Sequence, residues 1–214
     1  MVKYSPFFNI SAPETTEIRA CMNSKTKIYK KNEIIMQMSD ENNLLYIVES
    51  GTAHLIRIDV DGNKSIIDYY ETEDVFGKKL APHTEMDTYY VIAKEKCKIT
   101  TLDYNKLINR CSNNCEKHSV FLNNLLYITL EKSQMHIDVL SQRTTRQKLL
   151  TYFDYLSMKN SSANFSLPLS LSDLADYLSV DRSAMMREMK KIKNENIISV
   201  NTNKITLHKS RYGI

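Results

Sequence analysis

The stretch LSLSDLADYLSVDRSAMMREMKKI, Leu169 to Ile192, decides how this chain is read. It sets two amphipathic segments end to end with a halt at Ser179-Val180 between them. Ser170 or Ser172 is placed to cap the first segment, and Asp181 the second, because short polar side chains satisfy the free N–H groups of a first helical turn. Leu174, Ala175 and Leu178 make the inward face of the first helix; Met185, Met189 and Ile192 make that of the second, with the methionines directed inward. Val180 fills the angle, and Ala175 sits where the helices cross with little room. The pattern predicts a helix-turn-helix, whose second helix carries Arg182, Ser183, Arg187, Lys190 and Lys191 on its outward side.

Working outward, IISVNTNKITLH predicts a small hairpin with Asn201-Thr202-Asn203 at its tip, in the position of a wing. Arg146 to Lys159 read as a helix with Leu149, Leu150, Phe153 and Leu156 on one face, and SSANFSLPLS as a loop. Charge is uneven. The chain of 214 residues has a net charge of +4, yet residues 143–214 hold 12 Lys/Arg against 6 Asp/Glu, so the remainder is slightly acidic. A basic carboxyl-terminal third with a helix-turn-helix fits a polyanion. The major groove of double-stranded DNA accepts one helix, with base edges in reach of its amino end. An Arg there, as Arg182 or Arg187, can bond a guanine through two hydrogen bonds, and Lys190 and Lys191 further along suit phosphates; Ser172, Ser183 and Thr202 are read with them as DNA-binding.

Further upstream, Asn114 to Gln142 contain no Pro or Gly and predict one long helix. Phe121, Leu125, Ile128, Met135 and Val139 form one apolar row, broken at Lys132; Leu122, Leu126, Thr129 and Leu140 form a second. Two rows suggest a helix that packs on its own domain and on a partner copy. Before it, IYKKNEIIM, LLYIVES, AHLIRIDV, KSIIDYY and CKITTLDY are short segments rich in Ile, Val, Tyr and Thr, separated by turn residues, and predict an antiparallel sheet domain. Residues 1 to about 20 read as a short helix and loop.

Whole classes of function find no support. There is no G-x-S-x-G, no Walker loop, no zinc spacing and no Gly-rich dinucleotide turn, and only four glycines to build one, so an enzyme is not expected. No apolar run is long enough for a membrane span and the amino terminus lacks a signal peptide's apolar block, which predicts a cytoplasmic protein. Cys21, Cys97, Cys111 and Cys115 are then expected as reduced thiols, with no metal or cofactor site among them.

LADYLSVDRSAMMREMKKIKNENII, together with the sheet segments and the long helix, resembles the Crp/Fnr family of bacterial transcription regulators over nearly the whole chain. The resemblance implies an α+β fold: an antiparallel β-roll of the double-stranded β-helix, jelly-roll type as sensor (residues 1–115), a dimerisation helix (116–142) and a winged helix-turn-helix (143–214). It implies a homodimer on a two-fold symmetric site, with RNA polymerase as a further partner. The match departs from the family pattern at identifiable positions. Ser179 and Asn196 stand where the family has glycines. Ser183 stands where it often has Glu. In the β-roll, Phe76-Gly77 is followed by Lys78 and Lys79 instead of the Glu that holds a ribose, and Asp87-Thr88-Tyr89 stands where an Arg-Ser pair grips a cyclic phosphate. Asp repels a phosphate that Arg would bind, so a cyclic nucleotide is not the expected effector. Gly77, Lys78, Lys79, Thr88, Tyr89, Ser133 and Gln134 are the positions around which an unidentified small-molecule effector would bind, if there is one. A lone Cys21 near the amino terminus does not make an iron–sulfur site, and His83 in its loop is not expected to hold haem. The alternative function is a small-molecule module that works mainly through protein contacts.

Overall fold

The computed structural model describes residues 5–39, 42–77, 80, 87–109 and 116–210. By its contacts the chain forms two compact units, Tyr4–Leu130 and Glu131–Ile214, with the boundary inside the long helix.

The first unit opens with α1 (Ala12–Cys21), whose Ser11 and Glu14 form a reciprocal capping box. Eight strands follow: β1 (Lys25–Tyr29), β2 (Ile34–Gln37), β3 (Leu44–Ser50), β4 (Ala53–Ile58), β5 (Lys64–Tyr70), β6 (Val75–Phe76), β7 (Thr88–Ala93) and β8 (Cys97–Asp103). They make two four-stranded sheets, β1-β8-β3-β6 and β2-β7-β4-β5, antiparallel in every pair. Period-2 alternation turns one set of side chains from each sheet toward the other. Tyr29, Val48, Leu55, Val91 and Ile99 meet between the sheets in a single core. IYKKNEIIM, expected as one segment, is two strands in different sheets, because the chain turns at Asn32 with φ +67°. The short helix α2 (Tyr104–Ile108) follows β8, then the long helix α3 (Lys117–Leu140). Ile18 of α1, Met22 just after it, and Phe121 and Leu125 of α3 cover the outer side of one sheet through Leu45, Ile47 and Leu102.

The second unit holds the end of α3, then α4 (Thr145–Lys159), β9 (Asn164–Ser166), α5 (Leu171–Tyr177), α6 (Arg182–Asn194), β10 (Ile198–Asn201) and β11 (Lys204–Leu207). The predicted hairpin is β10–β11, with Thr202 and Asn203 as its tip. One strand was not expected. Asn164–Ser166, read as loop, pairs with β11 and widens the hairpin to a three-stranded sheet.

With only four glycines in the chain, left-handed helix exits fall to other residues. Asn23, Ser161, Ser179 and Asn196 follow α1, α4, α5 and α6 with φ between +48° and +54°. Each exit is closed by the same two hydrogen bonds, 6→1 and 5→2; after α5 they run from Val180 N–H to the Ala175 carbonyl and from Ser179 N–H to the Asp176 carbonyl.

Candidate nucleic-acid interface and sensor site

The turn between α5 and α6 answers why the chain breaks one helix to start another at once. Ser170 caps α5 by accepting from the Asp173 N–H at 3.2 Å. Ser172, the other candidate cap, lies exposed in the first turn of α5. Ser179 reverses the backbone at φ +51°, and Asp181 accepts from the Ala184 N–H at 2.8 Å to open α6. Leu174, Ala175 and Leu178 are buried, as are Met185, Met189 and Ile192, and α6 packs on both α5 and α4, where Leu149 and Phe153 are also buried. Val180 in the angle is half-buried.

The last carbonyls of α5 point into this turn, and two basic side chains meet them. Lys148 Nζ donates to the Leu178 carbonyl at 2.9 Å, and His136 Nε2 lies 3.0 Å from the Tyr177 carbonyl. A carbonyl only accepts, so this nitrogen carries the proton. The His136 ring also stacks on Tyr177 at 4.0 Å and 7°. From the same first turn of α4 the Arg146 guanidinium makes a two-pronged ion pair with Glu195, the residue closing α6. Its side-chain hydrogen bonds, more than its charge, hold the Glu195 carboxyl below the usual glutamate value against the opposing effect of burial.

These contacts fix α6 and leave its outer face open. Arg182, Ser183, Arg187, Lys190 and Lys191 are all exposed, and so are Ser172 and Thr202. The structure thus brings the first five together on one helix. Lys191 is turned aside, its Nζ 2.7 Å from Glu188 Oε1. Thr202 stands at the hairpin tip with φ +55°, a conformation a β-branched residue rarely adopts. Met186, unlike the inward Met185 and Met189, is exposed on the outer face.

In the first unit, Gly77 directly follows β6, and its missing side chain matters: a Cβ there would lie 2.7 Å from the Leu44 carbonyl oxygen. Behind it Tyr46, Phe76 and Tyr70 stack as three rings, 5.1 Å and 4.6 Å apart. Burial drives the Tyr70 phenol far above its ordinary pKa, and the carboxylates of Asp68 and Asp74 add to this. Tyr89 is buried in the core between the sheets and Thr88 is exposed at the start of β7. Arg57 of β4, across from Tyr89, reaches Asp87 with its Nε 3.9 Å from Oδ2. That Nε is buried and has no hydrogen-bond partner. Sequence reading passed over Arg57, because only strand register sets it beside Asp87. Lys78, Lys79 and His83 lie outside the described residues, as do Cys111 and Cys115. Ser133 and Gln134 are exposed on α3, in the part grouped with the second unit, where Gln134 donates to Asp138 at 2.9 Å. The Cys97 thiol is buried, donates to the Thr52 carbonyl, and is pushed up in pKa by burial. Among the described residues no group of three or more His, Cys, Asp or Glu is placed to hold a metal, and no helix is long and apolar enough to cross a membrane.

A family described as the cyclic nucleotide-binding domain matches residues 26–114, and one described as the Crp-like helix-turn-helix domain matches residues 147–211. The chain belongs to the Crp/Fnr family. It is a DNA-binding transcription regulator of that type. Among curated relatives, the nitrogen fixation regulation protein FixK of Rhizobium meliloti is 22% identical over 173 residues, which is 80% of this chain and 77% of FixK. Among solved structures, FixK2 of Bradyrhizobium japonicum superposes with a TM-score of 0.70 at 18% identity, covering 88% of this chain and 94% of FixK2. A CooA mutant from Carboxydothermus hydrogenoformans gives 0.72 at 18% identity, covering 90% and 87%. Both share the fold. At both glycine departures from the family pattern, Ser179 and Asn196, the residue present takes up the left-handed backbone itself.

Proposed function

We propose that this regulator works as a homodimer that reads a two-fold symmetric DNA site and responds, if to any small molecule, to one that is not a cyclic nucleotide. The observation that carries the dimer is an exposed apolar row on α3. Leu126, Leu130, Ile137 and Leu140 recur at spacings of four and three, with Ser133 filling the gap in the row. Leu130 is 68% exposed and Ile137 59%, a large apolar surface for a helix to leave in water. The spacing is that of a two-stranded coiled coil, with β-branched Ile137 at an a position and Leu126 and Leu140 at d. It shifts the seam read from sequence, for Leu122 and Thr129 are half-buried and the first row is the one that packs inside.

In such a dimer each α6 enters a major groove. Arg182, Ser183 and Arg187 address base edges, while Lys190, Lys191, Ser172 and Thr202 address phosphates. The protein acts by binding, in the cytoplasm, with RNA polymerase as its partner at promoters. In the β-roll, the Arg57–Asp87 pair supports the reading against cyclic nucleotides: the cation near this site is already matched by a carboxylate.

Selection of DNA from a random pool by the purified, ligand-free protein tests this. A symmetric site is expected, with half-sites about 10–11 base pairs apart. On that site Arg187→Ala should cost about 1–3 kcal/mol and relax one base position. Cyclic AMP or GMP should leave the affinity unchanged. An unsymmetric site, or an Arg187→Ala protein that binds like wild type, would overturn the proposal.

A further inference from the structure

Every exposed residue of α6 is polar or charged except one. Met186 is 41% exposed, one turn beyond Arg182 and one turn before Lys190 on the same side of the helix, with Arg187 next to it. The core below α6 is filled by Met185, Met189 and Ile192, so Met186 is not needed there. A single exposed apolar side chain is ordinary on a protein surface. This one lies on the face that the groove receives.

A thioether has no hydrogen to donate and accepts only weakly, so Met186 cannot distinguish bases by their donors and acceptors, and it offers a phosphate nothing. The one apolar feature displayed in the major groove is the 5-methyl group of thymine. An unbranched, polarisable side chain with three rotatable bonds adapts well to such a contact. We infer that Met186 is a specificity-determining residue that reads a thymine through its 5-methyl group. The inference rests on α6 lying in the groove as proposed above. Along the helix Met186 is about 6 Å from Arg182 and about 1.5 Å from Arg187. Base pairs stack about 3.4 Å apart, which puts the thymine at or beside the base pair that Arg187 addresses.

The test replaces each thymine of the selected site, one at a time, with deoxyuridine, which removes only the methyl group. At one position per half-site, wild-type affinity should fall about fourfold, the effect of one methyl-sized group no longer taken out of water. Met186→Ala should bind with no sensitivity to that substitution while keeping its thermal stability, since the side chain packs on the surface; Met186→Leu should restore the sensitivity. A site whose guanine depends on Arg187 but whose thymines all tolerate uracil removes the role of Met186 alone. So does a Met186→Ala protein with undiminished methyl sensitivity. A pool that yields no site removes the groove reading itself, and Met186 with it.

Discussion

Replacing Ser179 by Gly should make the DNA-binding unit more stable, and the size of the gain follows from the turn. Ser179 holds φ +51° at the exit of α5, where its N–H and that of Val180 donate at 3.1 Å and 3.0 Å to carbonyls of the helix they leave. A left-handed backbone costs an L-residue roughly 1–2 kcal/mol. Glycine escapes this but loses about 0.5–1 kcal/mol more in conformational entropy on folding. Both hydrogen bonds survive the change, and Ser179 is exposed, so no packing is lost. The net expectation is a gain of about 0.5–1 kcal/mol. The opposite change is sharper. A valine side chain would put a branched Cβ on the left-handed backbone, so Ser179→Val should lose roughly 1 kcal/mol or more. The chain has two units, so a single melting curve mixes them. Hydrogen exchange of peptides from α5 and α6, followed in the intact chain at rising urea, reports the opening of this unit directly. Slower exchange in Ser179→Gly and faster exchange in Ser179→Val are expected. If Ser179→Val exchanges like wild type, the chain does not reverse through a left-handed residue here, and the account of the helix break is wrong.

Three further outcomes are expected. Ile137→Lys should weaken the dimer about a hundredfold or more, because two buried apolar side chains are replaced by two like charges; sedimentation across a concentration series measures it, and an unchanged dimer would exclude the α3 row as the seam. Lys190→Ala should flatten the salt dependence of DNA affinity more than Lys191→Ala, since DNA must compete with Glu188 for the Lys191 ammonium; equal slopes would mean the ion pair is not kept. Glu195→Gln should change the acid limb of stability. A carboxyl whose folded pKa is lowered stabilises above its unfolded value, and that contribution is lost as pH falls through the folded value. Wild type should therefore exceed Glu195→Gln in stability at neutral pH and converge with it in the acid range below about pH 4, as read by urea unfolding at each pH; a gap that persists at low pH would mean the Arg146 contact works through shape alone.

The helix-turn-helix was legible because several local signals agree there: caps at Ser170 and Asp181, a 3.6-residue period on both sides, and a break that falls between the two periods. The features that escaped lack that agreement. Three-residue β9 has no period to read and exists only because β11 pairs with it. On α3 the exposed apolar row was hard to read since Ser133 interrupts it, whereas Thr129 and Leu122 extend a neighbouring row that is as regular on paper. Met186 was not singled out from sequence; its place one residue from Met185 turns it about 100° around the helix, away from the core.

Arg57 shows the same limit and carries the argument about the sensor further. An arginine on a strand reads as a solvated residue, and no motif contains it. Register sets it opposite Tyr89, on the side of β4 that faces the core, and there it meets Asp87. The residue that departs from the family pattern is thus answered by a cation from the adjacent strand. At 3.9 Å and part exposure the pair adds little stability. Its consequence is electrostatic. A phosphate arriving here meets no excess positive charge from this pair, and it can gain the Arg57 guanidinium only by displacing Asp87. A ligand with both charges, or with none, faces no such exchange. On the function proposed above, a zwitterionic or neutral effector suits this paired charge better than a cyclic nucleotide does.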